Sequence, residues 1–449
     1  MGALACMMKD MGFDVAGSDQ AIYPPMSDFL RDRGITIFDG FDTHNLSDKL
    51  DLVVVGNAIA KTNPEAESML AMGLHYCSMP QAIHQFIAAG KKAILVTGTH
   101  GKTTTSAIVS WILHEAGLDP TFFVGGILKN FMSNYRLGKG DHVIIEGDEY
   151  DTAFFDKGPK FLHYNPFMAI LTSVEFDHAD IFKDLEEVRY AFDRFLSALS
   201  GNNTLFAFDD DENIRDLIQD RICPVVCYGK NELSDWNLGS HSIEPPWTIF
   251  EVFNEDRHFG TFKSKLVGRH NLFNTLSAIA VAEKLEIPKR IITGAIESFK
   301  GVKRRQEIRG EKRGITVIDD FAHHPTAVRE TISAVKPFFT HGRLVAVFEP
   351  RTNSSKRNVF QNIYPLSFQK ADIICIRKPS AMEKIPPNER FSSEKLVSDL
   401  IDSGKEAYSF SNTDLIIDFL VQSTRSGDVI LIMSSGGFDN IHERLLTAL

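Results

Sequence analysis

Residues 93–107 read AILVTGTHGKTTTSA. The run Ala93 to Val96 is apolar without alternation, as in a strand buried on both faces, and it leads directly into a turn rich in glycine and threonine. Gly98 and Gly101 permit backbone conformations that are costly for other residues. From about Lys102 onward, Ile108, Val109, Ile112 and Leu113 recur at helical spacing, and the pattern stops at Gly117. A strand, a glycine turn and a helix start in that order leave unpaired backbone N–H groups at the turn, where the helix dipole favours an anion. The Lys102 ammonium can bridge terminal phosphates and the Thr103 hydroxyl can ligate Mg²⁺. Gly98, Thr99, His100, Gly101, Lys102, Thr103 and Thr104 are therefore expected to cradle a triphosphate. The spacing departs from a strict Walker loop, because Val96 stands where its first glycine would be. The plainer reading is a glycine turn with a solvated lysine.

Outward from this stretch, short β-rich runs repeatedly end in polar or glycine clusters and hand over to helical patterns, which predicts parallel α/β architecture. Leu52 to Val55 reads as a buried strand, followed by a Gly56-Asn57 turn and a helix from about Asn63-Pro64-Glu65. Further strands are expected in HVIIEGDEYD, FMAILTSVEFDHAD, TLFAFDDDE, ITVIDDFAHHP, RLVAVFEPR, ADIICIRK and GDVILIMSSGG, and an antiparallel hairpin around Asn254-Glu255-Asp256-Arg257. With 449 residues and roughly 150 residues per domain, about three domains are expected. The divisions fall at the Gly-Lys-Lys break near residue 90 and the charged stretch near 306: 1–88, 89–305 and 306–449. A formal net charge of −11 argues against nucleic acid as a partner, since phosphate backbones need a positive footprint. No run of 18 apolar residues and no basic-apolar leader is present, and the five cysteines are sparse; a cytoplasmic protein without membrane partners is expected. Cys223 and Cys227 read as core residues rather than half of a metal site.

Two acidic clusters follow apolar runs that should end beside the phosphate loop: Glu146, Asp148, Glu149 and Asp151 in EGDEYD, and Glu175, Asp177, His178 and Asp180 in EFDHAD. Singly, such acids are more often solvated or helix caps. Beside a triphosphate loop they suit Mg²⁺, for which His178 is the less natural ligand. His323 and His324 also admit the reading of a turn before proline.

These residues carry a resemblance. GTHGKTT at 98–104, the Glu149 cluster, GRHNLFN at 268–274, GVKRR at 301–305 and DDFAHHP at 319–325 occur in order over most of the chain and resemble the Mur ligase family. EGDEYDTAFFDKGPKFLHYNP, EFDHADIF, FEPRTNS and SSGGFDNIH are similar to the members that join UDP-N-acetylmuramate to the murein tripeptide L-alanyl-γ-D-glutamyl-meso-diaminopimelate in peptidoglycan recycling. Members that add L-alanine alone are the alternative, and a non-catalytic nucleotide-sugar regulator is an alternative of another class. The resemblance implies a Rossmann-like UDP-binding domain, a central P-loop-type ATPase domain with a parallel sheet and a small antiparallel sheet, and a Rossmann-like last domain that swings as a monomer's closing element. It implies ATP and Mg²⁺, an acyl phosphate intermediate, and catalytic roles for Lys102, Glu149, His178 and His323. Thr103, Glu149 and His178 would hold the metal; Asn271, Asn274, Arg304, Arg305 and Asp320 would contact ATP; Asp19, Asn57 and Arg351 would meet substrate. Some members add a carbamylated lysine downstream of the histidine, but Asp193 stands in that region here and none is assigned. Members also carry a strand and glycine turn before the helical pattern of Ala3, Leu4, Met7 and Met8, so Gly2 is expected to be the end of that turn, and about ten upstream residues are expected to improve sugar-nucleotide binding.

Overall fold

Lys92–Thr97 lies in the middle of a ten-stranded sheet, with Ile94, Leu95 and Val96 fully buried between layers on both faces. The computed structural model describes residues 1–339 and 341–449. Across the sheet the order is Arg257–Ser264, Trp247–Asn254, Trp236–Glu244, Val225–Gly229, Thr204–Phe208, Pro166–Leu171, Lys92–Thr97, His142–Gly147, Thr121–Leu128 and Ser133–Arg136. The strands from Val225–Gly229 through to Thr121–Leu128 are parallel. Both ends are finished by antiparallel pairing, including the expected hairpin, in which Asn254 faces Arg257. The small antiparallel element is thus a continuation of the parallel sheet, not a separate one.

Parallel strands put all their carboxyl ends on one edge, which is where the loops after Thr97, Gly147 and Leu171 converge. The helix Lys102–Glu115 packs Ile108, Val109, Ile112 and Leu113 inward and ends before Gly117, whose φ of 75° only glycine adopts cheaply.

A second sheet, in the last third of the chain, runs Glu307–Lys312, Ile315–Asp320, Val429–Met433, Leu344–Phe348, Ile373–Arg377 and Glu406–Phe410, with only the first strand antiparallel. Its carboxyl edge carries the segments after Asp320, Phe348 and Met433, and it has its own apolar cores on the two faces.

The first part of the chain opens with the expected helix, Gly2–Asp10. Two separate two-stranded parallel sheets follow, Ala16–Asp19 with Thr36–Asp39 and Val53–Val55 with Tyr76–Ser78. Asn63 caps the helix Pro64–Met72, accepting from the Glu65 and Ala66 amides, with proline at its favoured first position. Cys6, Met7, Ile83 and Ile87 share one core with Leu95, Ile145, Leu171 and Cys223, so this part is joined to the central sheet by apolar contact. No helix among the described residues is long and apolar enough to cross a membrane.

Candidate active site

The phosphate loop is pinned from below by the segment that follows Pro166–Leu171. Thr99 N–H donates to Ser173 O (2.9 Å), His100 N–H to Ser173 Oγ (2.8 Å), and the Thr172 hydroxyl to Thr97 O (3.0 Å). A Cβ on Gly98, at φ 128°, would overlap Thr172 Oγ1 and come within 2.8 Å of Ser173 N. On the other side, a Cβ on Gly101 would stand 2.6 Å from Asn274 Oδ1. The glycines are therefore required by close approach, as well as by their positive φ. Asn274 donates to Asn271 Oδ1 (3.2 Å), and Asn271 donates to Val267 O and Gln306 Oε1, so the two asparagines buttress the loop.

Lys102 turns back over the loop: its ammonium donates to Gly98 O (2.5 Å) and pairs with Glu149 Oε2 (2.9 Å). Burial pulls its pKa down, but Glu149, Asp148 and Glu146 together hold it above the ordinary lysine value. Glu149, 2% exposed, meets His178 Nε2 through its other oxygen at 2.9 Å. Burial disfavours the His178 cation, yet the Glu149 contact raises its pKa overall. Asp148, Glu149 and His178 each offer a ligand atom, and all of these atoms lie within 4.8 Å of one another. Two carboxylates and one imidazole fit a divalent cation whose remaining positions phosphate or water oxygens can fill. The Thr103 hydroxyl instead donates to Glu146 Oε2 (3.1 Å), and Glu146 also accepts from Gly125 N–H (2.7 Å).

The acids of the two clusters therefore separate. Asp151 pairs with Lys157 at the surface (3.3 Å), away from this point. In EFDHAD only His178, held at φ 57°, faces Glu149. Its neighbours reach the carboxyl edge of the last domain. Glu175 accepts from Thr326 Oγ1 (2.7 Å), Phe176 O from His324 Nε2 (3.1 Å), and Asp177 lies 3.8 Å from His323 Nε2. Ala179 N–H donates to Ser354 Oγ (3.0 Å), and Asn353 to Asp180 Oδ2 (2.7 Å). Burial opposes ionisation of Glu175, but His100, His324 and Thr326 bring its pKa down to about 2. Burial brings that of His324 down to about 4.

Across this seam, Arg304 donates to Ser434 O and Gly436 O (both 2.6 Å) and lies over the Phe321 ring at 5.2 Å. Arg305 stacks on the same ring at 4.8 Å, between Asp320 and Glu146, and makes no side-chain hydrogen bond among the described residues. Asp320 accepts from Gln306 N–H and Ala322 N–H (both 2.8 Å), and burial raises its pKa. Arg351 packs against Gly436, with Nη1 3.9 Å from buried Glu349. Asp19 and Asn57 lie at the exposed carboxyl ends of two strands in the first domain; Asp19 accepts from Ala21 N–H. Asp193, on the helix Leu185–Ser197, pairs with Arg221 outside the site.

Sequence reasoning missed Lys160, whose ammonium reaches Asp148 Oδ2 at 2.8 Å, and Tyr150, whose ring lies 4.0 Å from that of His178. Lys160 falls between two glycine- and proline-rich turns with no periodicity to mark it. Both residues lie within the stretch EGDEYDTAFFDKGPKF, which resembles the family as a whole.

Three family profiles match in order: "Mur ligase family, catalytic domain" over residues 1–91, "Mur ligase middle domain" over 96–282 and "Mur ligase, glutamate ligase domain" over 304–436. The UDP-N-acetylmuramate–L-alanyl-γ-D-glutamyl-meso-2,6-diaminoheptandioate ligase of Escherichia coli K12 is 37% identical over all of this chain and 96% of its own. A UDP-N-acetylmuramate–L-alanine ligase of Clostridium botulinum is 32% identical over 99% of this chain and 94% of its own. Among solved structures, a murein peptide ligase from Psychrobacter arcticus superposes with TM-score 0.74 at 34% identity, covering 100% of this chain and 96% of that one. A UDP-N-acetylmuramate-alanine ligase from Thermotoga maritima superposes with TM-score 0.82 at 25% identity, with the same coverage.

Proposed function

The chain belongs to the Mur ligase family, and on that premise we propose that it joins the lactyl carboxylate of UDP-N-acetylmuramate to the amine of L-alanyl-γ-D-glutamyl-meso-diaminopimelate, converting ATP to ADP and phosphate. The observation that carries this reading is the meeting of two sheet edges. The phosphate loop with Lys102, Glu149 and His178 lies opposite the strand ends that bear Asp320, Glu349 and Ser434, leaving the first domain to supply the sugar nucleotide.

In this mechanism the carboxylate oxygen attacks the γ-phosphorus of ATP; an O–P bond forms as the bond to the β-phosphate oxygen breaks. Lys102 exchanges its Gly98 and Glu149 contacts for the transferred phosphoryl, whose charge it offsets most in the transition state. Asp148, Glu149 and His178 would hold Mg²⁺, which supplies charge neutralisation for the triphosphate. Arg305, with its donors uncommitted, is placed to meet phosphate, and Phe321 beside it offers an aromatic face. The amine then attacks the acyl carbon, phosphate leaves, and the amine's proton passes to solvent or a nearby base. Closure of the seam between Glu175–Asp180 and the last domain excludes the water that would hydrolyse the acyl phosphate. We assign the three domains to 1–88, 89–305 and 306–449, and propose the cytoplasm, where ATP is supplied, as the site of the reaction.

Release of ADP should be measured with UDP-N-acetylmuramate alone, then with added tripeptide or L-alanine. Tripeptide-dependent turnover far above that with L-alanine is expected. Preference for L-alanine would move the chain to the group represented by the Clostridium relative, and no ADP with any amine would indicate a regulator.

A further inference from the structure

Lys160 is the one cation of the Asp148–Glu149–His178 cluster that stands on the side of the first domain. It follows the hairpin formed by Asp151–Ala153 and Asp156–Pro159, and begins the short helical turn Lys160–His163. That hairpin touches the first domain, with the Phe155 ring 4.8 Å from Tyr76, and the turn packs on the helix Met79–Ala82. The Lys160 side chain is 11% exposed. Its backbone N–H is fixed to Tyr150 O (3.1 Å), and its ammonium lies over the Tyr150 ring at 5.6 Å and on Asp148 Oδ2 at 2.8 Å. Tyr150 in turn covers His178.

Of the three donors on an ammonium, Asp148 takes one, and no other side-chain hydrogen bond of Lys160 is present among the described residues. A mostly buried lysine with two uncommitted donors is costly unless a second anion completes it. On the far side, the charge of the ammonium is felt at the Met1 amine, and the Met1 side chain lies against Gly56, just past the carboxyl end of the first-domain strand Val53–Val55. On the near side, Asp148 senses both Lys160 and Lys102. Lys160 therefore stands between the phosphate loop and the first domain, in contact with the Asp148–Glu149–His178 cluster through Asp148.

We infer that Lys160 binds the carboxylate of the sugar nucleotide that is to be phosphorylated, donating to the oxygen that remains when the other attacks phosphorus. This inference rests on the proposed reaction. An anion that must lie in line with the γ-phosphate belongs beside the metal cluster; the diphosphate of the same molecule, on the opposite side of the sugar ring, must lie farther out. Asp148 keeps the ammonium from swinging into the triphosphate site, where Lys102 already serves. Tyr150 and the backbone bond hold the stem. Binding through Lys160 would align the carboxylate and neutralise its charge without involving the nucleotide's uracil or ribose.

The test is calorimetric titration of the full chain and of Lys160→Met with UDP-N-acetylmuramate, UDP-N-acetylglucosamine, which lacks the lactyl carboxylate, UDP and ADP. A loss of about 10- to 100-fold for UDP-N-acetylmuramate is expected, the scale of one charge-assisted contact, with the other three ligands changed less than about twofold. Lys160→Arg should recover most of the loss, and should lower kcat less than it raises KM. Should Lys160→Met fold poorly, Lys160→Gln keeps a donor for Asp148 and removes only the charge. Equal weakening of UDP and UDP-N-acetylglucosamine would assign Lys160 to the diphosphate and overturn the inference, as would unchanged UDP-N-acetylmuramate affinity. The two readings fail separately: a wild-type chain that binds UDP-N-acetylmuramate in a Lys160-dependent way but releases no ADP with any amine refutes the proposed reaction alone.

Discussion

The two junctions that flank the site are made of different material. Towards the first domain, Cys6, Met7, Ile83 and Ile87 merge into the same apolar core as Leu95, Ile145 and Leu171, and the polar contacts, such as Tyr135 O–H to Asp10 Oδ2 at 2.8 Å, lie at its margin. Towards the last domain, the junction is mainly a row of hydrogen bonds and ion pairs from Glu175, Phe176, Asp177, Ala179 and Asp180, each to a different partner, with Phe176 and Val267 as its partly buried apolar contacts. Apolar burial is lost in proportion to the area exposed, so parting the first junction is expensive over any distance. Hydrogen bonds between groups that water can satisfy cost little net to exchange. In the proposed reaction the last domain is therefore expected to open for the amine, while the first stays fixed. Arg304 and Gln306, with φ of 61° and 50°, lie where the chain crosses into it.

The largest effect should come from between the junctions. Lys102→Ala leaves both of them intact, so it should fold normally while ADP formation falls by at least about 10² to 10³ in kcat. Near-native turnover would mean that the loop does not handle the transferred phosphoryl. Next comes the apolar junction: Met7, fully buried, should cost about 2 to 5 kcal/mol on change to alanine, read as a lower urea midpoint. If the first domain were only lightly docked, that variant would instead lose sugar-nucleotide binding with an unchanged midpoint for the rest.

How far the sequence reveals this contrast depends on the kind of signal. Uniform apolar runs such as Ile94 to Val96 and Val429 to Met433 mark parallel strands, and parallel strands fix which loops share an edge, so the phosphate loop and both acidic clusters could be placed from composition and order alone. What each acid does on that edge could not. Glu175, Asp177, His178 and Asp180 look alike as ligands in the sequence, yet the left-handed backbone at His178 turns that side chain towards Glu149 while its neighbours face the other domain. Thr103 likewise carries the expected hydroxyl but spends it on Glu146. Lys160 and Tyr150 depend on a hairpin whose register shifts between Asp156 and Pro159, a feature with no periodic signature.

Acid should loosen the polar junction before the apolar one. His324 has a folded pKa of about 4, below the ordinary value of about 6.5, so the folded chain binds fewer protons than the unfolded chain between those limits. Its contribution is complete above about pH 6.5 and is lost as the pH falls towards 4, with about 2 kcal/mol of it gone by pH 5. His270, also lowered to about 4, adds in the same direction. Glu175, lowered to about 2, contributes fully above about pH 4.5 and is not yet affected at pH 5. Melting temperatures at pH 7.5 and 5.0 should therefore drop more for the wild type than for His324→Gln. Equal drops would remove His324 from the pH response.

The smallest effect is the most direct test of which domain moves. Asn353→Ala deletes the bond to Asp180, at a position exposed enough for water to replace it. Stability should change by less than about 1 kcal/mol, because both partners are resolvated. Closure, however, must be made and broken in every cycle, so the same loss falls on the closed state alone and should raise the KM for the amine severalfold while leaving the affinity for UDP-N-acetylmuramate unchanged. A control at the other junction, Tyr135→Phe, removes the bond to Asp10 and should leave both parameters alone, since the apolar core holds that domain in place with or without it. If Tyr135→Phe raised the amine KM as much as Asn353→Ala, the two junctions would open together and the distinction between a fixed and a moving domain would fail.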